Sequence, residues 1–409
     1  MRDNGNNDKT AFTTAVPVFL LCWFSYASAY FCRVNFTAAI APLMAAEGFG
    51  KAYVGAVAGG FFWAYAAGQL LNGAIGDRFH PRWFVGTGMA MSAVMNLLIS
   101  YAQVRYLPVL WTLNGFFQSM LWGPIVRTVS VASGGRNRTG FATALITSSV
   151  FGSLAAYLIA GRMSEVSWRA AFAAPGAVML AASAAWVLFA GKFMPTGLYG
   201  RVNPPAKPSE SGAKPFPRLL VANGLLFAGA ASLLHSVVKE SALTWGPLML
   251  SESFNVPYQS TLDSFALVPF ANLAAMAFAG WLHHAFGGNT KKCLYLLLSV
   301  CCAGSVSVYA ALGSSRLAVL AALALTSAST ISINSILLAI LPMRYGGTGR
   351  VSGITGFLDC AAYMGAAAAS PLTGWLAAFG WQRVPLIWIF ACLLGAAVVF
   401  RMKNDGITR

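Results

Sequence analysis

Arg33 lies near the middle of an apolar stretch that runs from about Val16 to Ala46, long enough to cross a bilayer. A cation at the centre of a spanning helix costs roughly 3 kcal/mol on insertion scales, so it needs a counter-charge or a wet cavity. Lys239 sits at a comparable depth in a later apolar stretch. Two such cations in so apolar a chain point to one chemistry, the holding of an anion. On helical spacing Tyr26, Tyr30 and Arg33 share one face, so two hydroxyls can donate beside the guanidinium. The plainer alternative for Arg33 is a structural arginine capped by carbonyls.

His235 and Lys239 are one helical turn apart. An imidazole there can donate to an anion or carry a proton near neutral pH; it can also be a buried, hydrogen-bonded histidine and no more. Glu240 points about 100° away from Lys239, and Asp359 is the other deep acid. Either carboxylate can balance the cations when no anion is bound, or take a coupling proton. A structural ion pair is the alternative for both. Gln69 shares a face with Tyr65 and can donate to a substrate hydroxyl, while Gln118, Trp122 and Asn334 are further inward-facing polar candidates. Arg127 belongs to the inner end of its span and is expected to brace the loop containing Asp77 and Arg78, a gating role.

These side chains need membrane-spanning elements to hold them. The 409 residues are 57% hydrophobic and 9% charged, against about 25% charged in a soluble domain. A span takes about 20 mostly apolar residues. Punctuation by charge, proline and glycine divides the chain into twelve spans: 16–39, 53–75, 83–103, 107–131, 139–161, 169–191, 219–245, 260–284, 292–313, 317–341, 351–377 and 382–401. The first apolar stretch is far longer than a signal core of about 7–15 residues and reads as the first spanning helix. An even span count places both termini on one side. With the N-terminus inside, 18 of the 27 basic residues are cytoplasmic, 6 are outside, and Arg33, Arg127 and Lys239 stay within spans. The positive-inside bias therefore puts both termini in the cytoplasm.

The formal charge of +16 is spread over short loops instead of one patch, which argues against a nucleic-acid partner. The seven cysteines all lie in or beside apolar segments and lack paired spacing, so neither a disulfide framework nor a metal site is expected. There is no metal-ligand cluster, P-loop or nucleophile elbow in the sequence, hence no enzyme and no cofactor. Work has to be drawn from a gradient.

The polar, proline-rich stretch 193–218 separates two halves, 1–192 and 219–409, with six expected spans each. The halves echo each other. A Gly- and base-containing loop follows the second span of each, at Gly76–Arg82 and at Gly280–Lys292. Another follows the fourth, at Gly134–Gly140 and at Arg344–Arg350. Trp168-Arg169 and Trp381-Gln382-Arg383 open the last span of each half. Parallel repeats of this kind place a substrate site near the bilayer midplane, and transport follows from rocking one half on the other.

The whole chain resembles the major facilitator superfamily. Its segment Gly73–Arg82 resembles that superfamily's signature loop, departing at Pro81. Within the superfamily, Tyr30-Phe31-Cys32-Arg33-Val34-Asn35-Phe36 resembles the Arg-x-Asn-Phe element of the organophosphate:phosphate antiporters. Asn114-Gly115-Phe116-Phe117-Gln118, followed by Trp122-Gly123-Pro124 and Arg127, resembles their fourth-span motif. Trp245-Gly246-Pro247 sets Lys239 where the family carries a second substrate-binding arginine.

The resemblance implies an all-α integral membrane protein of twelve transmembrane helices in two pseudo-symmetric halves, acting as a monomer in a bacterial cytoplasmic membrane. It implies exchange of a phosphorylated metabolite for inorganic phosphate, with Arg33, Lys239, Tyr26, Tyr30, His235, Gln69, Gln118 and Asn35 around the anion. A proton-coupled organic-anion symporter using Glu240 or Asp359 is the alternative, and a transporter-like sensor of sugar phosphate is a third. The chain departs from the family at Gln69, where a member carries lysine, at Ser148-Ser149, where it carries histidine, and at Lys239 itself.

Overall fold

The computed structural model describes residues 4–75, 79–132, 138–193, 220–221, 224–345 and 351–402. The described residues of the expected spans are mostly helical. In the first half the helices are α1 (Asn4–Glu47), α2 (Lys51–Ile75), α3 (Pro81–Tyr101), α4 (Leu107–Gln118), α5 (Trp122–Ala132), α6 (Arg138–Ala155), α7 (Gly161–Val166) and α8 (Ala170–Phe193). The second half holds α9 (Leu225–Phe254), α10 (Tyr258–Phe265), α11 (Val268–Ala285), α12 (Thr290–Ala311), α13 (Arg316–Ser335), α14 (Leu341–Met343), α15 (Val351–Ala377) and α16 (Arg383–Arg401). Among the described residues nine helical stretches are long and apolar enough to cross a membrane. The three other expected spans are not among these nine; they carry Asn114 and Gln118 in 107–131, His235 and Lys239 in 219–245, and Asp359 in 351–377.

The helix interruptions have local causes. A proline cannot donate to the carbonyl four residues back, and its ring crowds that carbonyl. Pro124, in the first turn of α5, cannot donate to the Met120 carbonyl, and between α4 and α5 Met120 and Leu121 make short-range bonds of 3.2 Å to the Phe117 and Gln118 carbonyls. Pro269 separates α10 from α11 in the same way. A π turn at Ile336–Ile340 precedes Pro342. The second π turn, Ala156–Ala160, has no proline to announce it. Helix starts are capped where the sequence offers a short polar acceptor: Asn289 accepts from the Lys292 amide at 3.0 Å, and Ser315 from the Ala318 amide at 3.3 Å.

The chain forms two compact units. The first holds residues 1–42 and 64–203, and the second holds 43–63 and 204–409. The boundary at 203/204 falls inside the expected linker. The turn from the end of α1 into the first half of α2 packs with the second unit. Asp77, Arg78, most of the linker and both chain ends lie outside the described residues.

In the first unit α3 and α8 pack along their lengths around Trp186, whose indole donates to the Pro81 carbonyl at 3.2 Å. Arg82 donates to the Val187 carbonyl at 2.8 Å, and Arg169 to the Ala102 carbonyl at 2.6 Å, so the ends of this pair are tied to backbone. The N-terminal half of α1 contributes Val18, Cys22, Tyr26 and Ala29 to a core shared with Met89, Leu121 and Ile125. All seven cysteines are free thiols.

In the second unit the first half of α2 lies directly on α15. A Cβ on Gly55 would come within 2.5 Å of the Ser370 carbonyl oxygen, and one on Gly59 within 2.8 Å of that of Ala367. Only glycine allows this approach, the small-residue spacing that brings membrane helices together. At the head of the same contact Lys51 pairs with Glu252 at 2.7 Å. The Trp381 indole donates to the same carboxylate oxygen at 2.8 Å, and the Lys51 ammonium sits 5.4 Å from the Trp381 ring centre. Large apolar side chains such as Trp63, Phe390 and Phe400 remain on the outside, as hydrocarbon surroundings require.

Candidate functional site

In the first unit Arg33 projects from α1 into a small, defined cluster. Its Nε donates to the Gln118 Oε1 at 3.1 Å. Its guanidinium carbon lies 4.7 Å from the centre of the Tyr30 ring and 4.6 Å from that of Tyr65. These are cation–π distances, worth up to about 2 kcal/mol where water is excluded. Tyr30 reaches Arg33 because it sits one turn back on the same helix; Tyr65 comes from α2. Gln69, one turn on from Tyr65, donates to its hydroxyl at 3.2 Å. Tyr26 packs edge-on against Tyr30 and tilted against Trp122, with ring centres 5.3 and 4.7 Å away.

Gln118 holds its position because α4 ends there. Its amide donates to the Cys32 carbonyl at 3.3 Å and lies 3.4 Å from both Ser92 Oγ and Asn114 Oδ1. Asn114 also donates to the Cys32 carbonyl, at 3.2 Å, and accepts from Ser92 at 2.5 Å. The Asn96 amide donates to the Ser92 carbonyl at 2.9 Å and its oxygen accepts from Asn35 at 3.0 Å. Asn35 donates further to the Ala171 carbonyl at 3.1 Å. A run of neutral amides and one hydroxyl thus connects α1, α3, α4 and α8, all of it buried, and it ends at the guanidinium.

The expected residues therefore separate. Tyr30 and Gln118 contact Arg33, Gln69 reaches it through Tyr65, and Tyr26 is one ring removed. Asn35 does not join them. It is fully buried on another face of α1, with its amide committed to Asn96 and Ala171, because two residues along a helix turn a side chain by about 200°. Ser148 and Ser149 bond back to carbonyls of their own helix at 2.5 and 2.7 Å.

The second unit carries the other cation. Lys239 is half-buried on α9, and its ammonium makes no hydrogen bond or ion pair with any described residue. One turn back, His235 is buried, with Nδ1 3.2 Å from the Ala231 carbonyl and Nε2 3.3 Å from the Asn334 Oδ1. Glu240 accepts from Thr244 at 2.6 Å. Asp359 is half-buried on α15, and Tyr363, one turn further, stacks on Phe62 at 6.4 Å. Arg127 is half-buried on α5; its expected partner Asp77 lies outside the described residues. Among the described residues no group of His, Cys, Asp or Glu is arranged to hold a metal ion.

Sequence reasoning missed Tyr65 as a partner of Arg33 and missed the Ser92–Asn96–Asn114 run. The available signal was polar residues at helical spacing within apolar spans, where each needs a partner.

Comparison with known proteins bears on the family and the fold. The model of a family described as the Major Facilitator Superfamily matches residues 22–364. A glycerol-3-phosphate transporter of Bacillus subtilis is 24% identical, over 99% of this chain and 96% of its own. A probable hexose phosphate transport protein of Chlamydia pneumoniae is 24% identical over 70% of this chain and 68% of its own. The membrane sensor protein UhpC of Escherichia coli is 29% identical over 40% of this chain and 38% of its own. Among solved structures, an inward-facing, unoccupied bacterial homologue of the human lysosomal transporter Spinster covers 95% of this chain and 96% of its own. Its TM-score is 0.77 at 12% identity, a likeness of fold.

Proposed function

The chain belongs to the major facilitator superfamily and is an integral membrane transporter, not an enzyme; from that premise we propose that it exchanges a phosphorylated metabolite for inorganic phosphate. The observation that carries this reading is the Arg33 guanidinium, held at membrane depth by Gln118 and lying over Tyr30 and Tyr65. A preorganised arginine fork suits a phosphoryl group, to which it can donate two parallel hydrogen bonds. The relatives' names, glycerol-3-phosphate and hexose phosphate transport, support the same substrate class.

In this mechanism Arg33 takes the anion and Lys239 supplies the second positive charge from the other half of the chain. Tyr26, Gln69 and His235 line the path of the substrate's remaining groups. Anion binding offsets the cost of the occluded state, and the carrier, having released the organophosphate, returns only with phosphate bound, which makes the process exchange. Arg127 braces the loop holding Asp77 and Arg78 as a gate. The protein works as a monomer in a bacterial cytoplasmic membrane with both termini inside, the side favoured by 18 basic residues against 6.

The test is exchange of labelled phosphate by protein reconstituted in liposomes preloaded with phosphate or an organophosphate. Exchange is expected for wild type and lost for Arg33→Ala. Wild-type exchange rates in Arg33→Ala would remove this mechanism.

A second reading has its own support in the likeness to a membrane sensor protein. In that case the purified protein binds an organophosphate, seen as a ligand-dependent rise in melting temperature, yet gives negligible flux in the same liposomes.

A further inference from the structure

We propose that Asn334 is a specificity-determining residue: it presents its side-chain carbonyl beside Lys239 and selects a phosphate ester whose organic part carries a hydroxyl group. This rests on the reading that Lys239 receives an anion, and it narrows the substrate class.

Donors and acceptors around His235 lead there. The ring is buried on α9, 2% exposed, and both of its nitrogens are occupied. Nδ1 lies 3.2 Å from the Ala231 carbonyl. A carbonyl only accepts, so Nδ1 carries the proton. Burial and the Lys239 charge one turn on both favour an uncharged ring, whose Nε2 is then an acceptor. The Ser236 hydroxyl, 3.5 Å away, can donate to it. The Asn334 side chain also meets Nε2, with Oδ1 placed 3.3 Å away. Two acceptors do not bond. A half-turn of the amide exchanges Oδ1 and Nδ2, moves nothing else, and puts an N–H on the ring nitrogen. Oδ1 is left on the far side.

That oxygen has no competing donor, because Asn334 is half-buried and hydrogen-bonds no other described residue. Asn334 stands one residue from the end of α13, ahead of the π turn Ile336–Ile340, and π turns are frequent at functional sites. Lys239 is likewise half-buried, with no described residue holding its ammonium. Two half-buried polar groups at membrane depth, both bordering one histidine, call for water or a polar ligand instead of lipid. Lys239 offers only donors, which suit phosphoryl oxygens. The Asn334 carbonyl offers only an acceptor, which repels those oxygens and suits a hydroxyl. Together they fit a hydroxylated phosphate ester, and His235 contributes by holding the amide in this orientation.

Purified wild type and Asn334→Leu are titrated with glycerol 3-phosphate, with propyl phosphate, which lacks both hydroxyls, and with inorganic phosphate. The ligand-free melting temperature controls for folding. Wild type is expected to prefer glycerol 3-phosphate over propyl phosphate by about tenfold, the scale of one hydrogen bond to a ligand. In Asn334→Leu the two esters are expected to bind within about twofold of each other. A merely structural Asn334 would lower the melting temperature and leave the preference intact. In ¹⁵N-histidine spectra the His235 signal, assigned by its loss in His235→Gln, is expected to show a protonated Nδ1 and a bare Nε2.

Equal binding of the two esters by wild type overturns the inference. So does a wild-type preference kept in folded Asn334→Leu, or a protonated Nε2 on His235. If Asn334→Leu does not fold, the two wild-type measurements still decide. These outcomes leave phosphate binding, and with it the proposed exchange, standing. Wild type that binds none of the three phosphates removes the functional reading itself and this inference with it.

Discussion

Arg33 and Lys239 are both cations carried deep on long helices, yet their surroundings differ in kind. Arg33 has its Nε corner hydrogen-bonded and lies over two aromatic rings, and its anchor Gln118 belongs to a buried amide run reaching Asn35. Lys239 is half-buried with an ammonium that no described residue holds. The difference matches the chemistry of the two side chains: the planar fork is useful only when oriented, whereas a point charge on a flexible stem adapts. Under the proposed function, one cation recognises a shape and the other supplies charge. Each substitution below presses on that division.

The largest effect is expected from Arg33. Arg33→Ala removes two charge-assisted hydrogen bonds of roughly 1.5–3 kcal/mol each, so phosphate affinity falls on the order of 100-fold or more, measured by equilibrium binding. Arg33→Lys keeps the charge but loses both the fork and the bond to Gln118, and it recovers little of this. Recovery to near wild type would erase the distinction between shape and charge.

Lys239 should behave in the opposite way. Lys239→Ala is expected to lower affinity by about tenfold, roughly 1.4 kcal/mol, and Lys239→Arg to restore it to within a few-fold. A Lys239→Arg variant as impaired as Lys239→Ala would mean that this position, too, is sterically defined.

How far this contrast is legible in the sequence depends on the distance over which each residue acts. Helical periodicity puts Tyr26, Tyr30 and Arg33 on one face, and that face is the one that meets Gln118 and Tyr65. The same periodicity says nothing about which helix the face will meet: Arg33 and Gln118 are 85 residues apart, and Asn35 and Asn96 are 61 apart. Asn35 was therefore expected beside the anion through its place next to Arg33 in a motif, and the structure puts it in the α1–α3–α8 contact. Spans were readable wherever apolar residues dominate. They were least clear in 107–131 and 219–245, which are not among the nine long apolar stretches and where several of the candidate residues lie.

The amide run gives a smaller, separable effect. Asn35→Ala leaves the Asn96 oxygen and the Ala171 carbonyl without their donor, a cost of roughly 1–3 kcal/mol. It should appear as a lower ligand-free melting temperature with phosphate affinity changed less than about threefold, given the distance that separates additive sites. A large affinity loss at constant melting temperature would instead return Asn35 to the anion's own surroundings. The smallest effect is assigned to Glu240→Gln. With Thr244 still able to donate to the new amide oxygen, phosphate exchange in liposomes should stay within about threefold, on the scale of a surface-like substitution. Exchange that persists while a proton gradient no longer drives uptake would favour the symport alternative.

The glycine contact between α2 and α15 has a consequence for recombination. Residues 43–63 are encoded with the first half but fold as part of the second. Gly55 and Gly59 admit only the α15 backbone that matches them, and Lys51 needs Glu252 and Trp381. The natural crossover point for a chimera with a relative is therefore not the linker alone. A fusion cut only between the halves would pair a borrowed α15 with a native hairpin it never evolved against. One that also moves residues 43–63 would transplant a complete folding module, so the inheritable unit here is discontinuous in the gene.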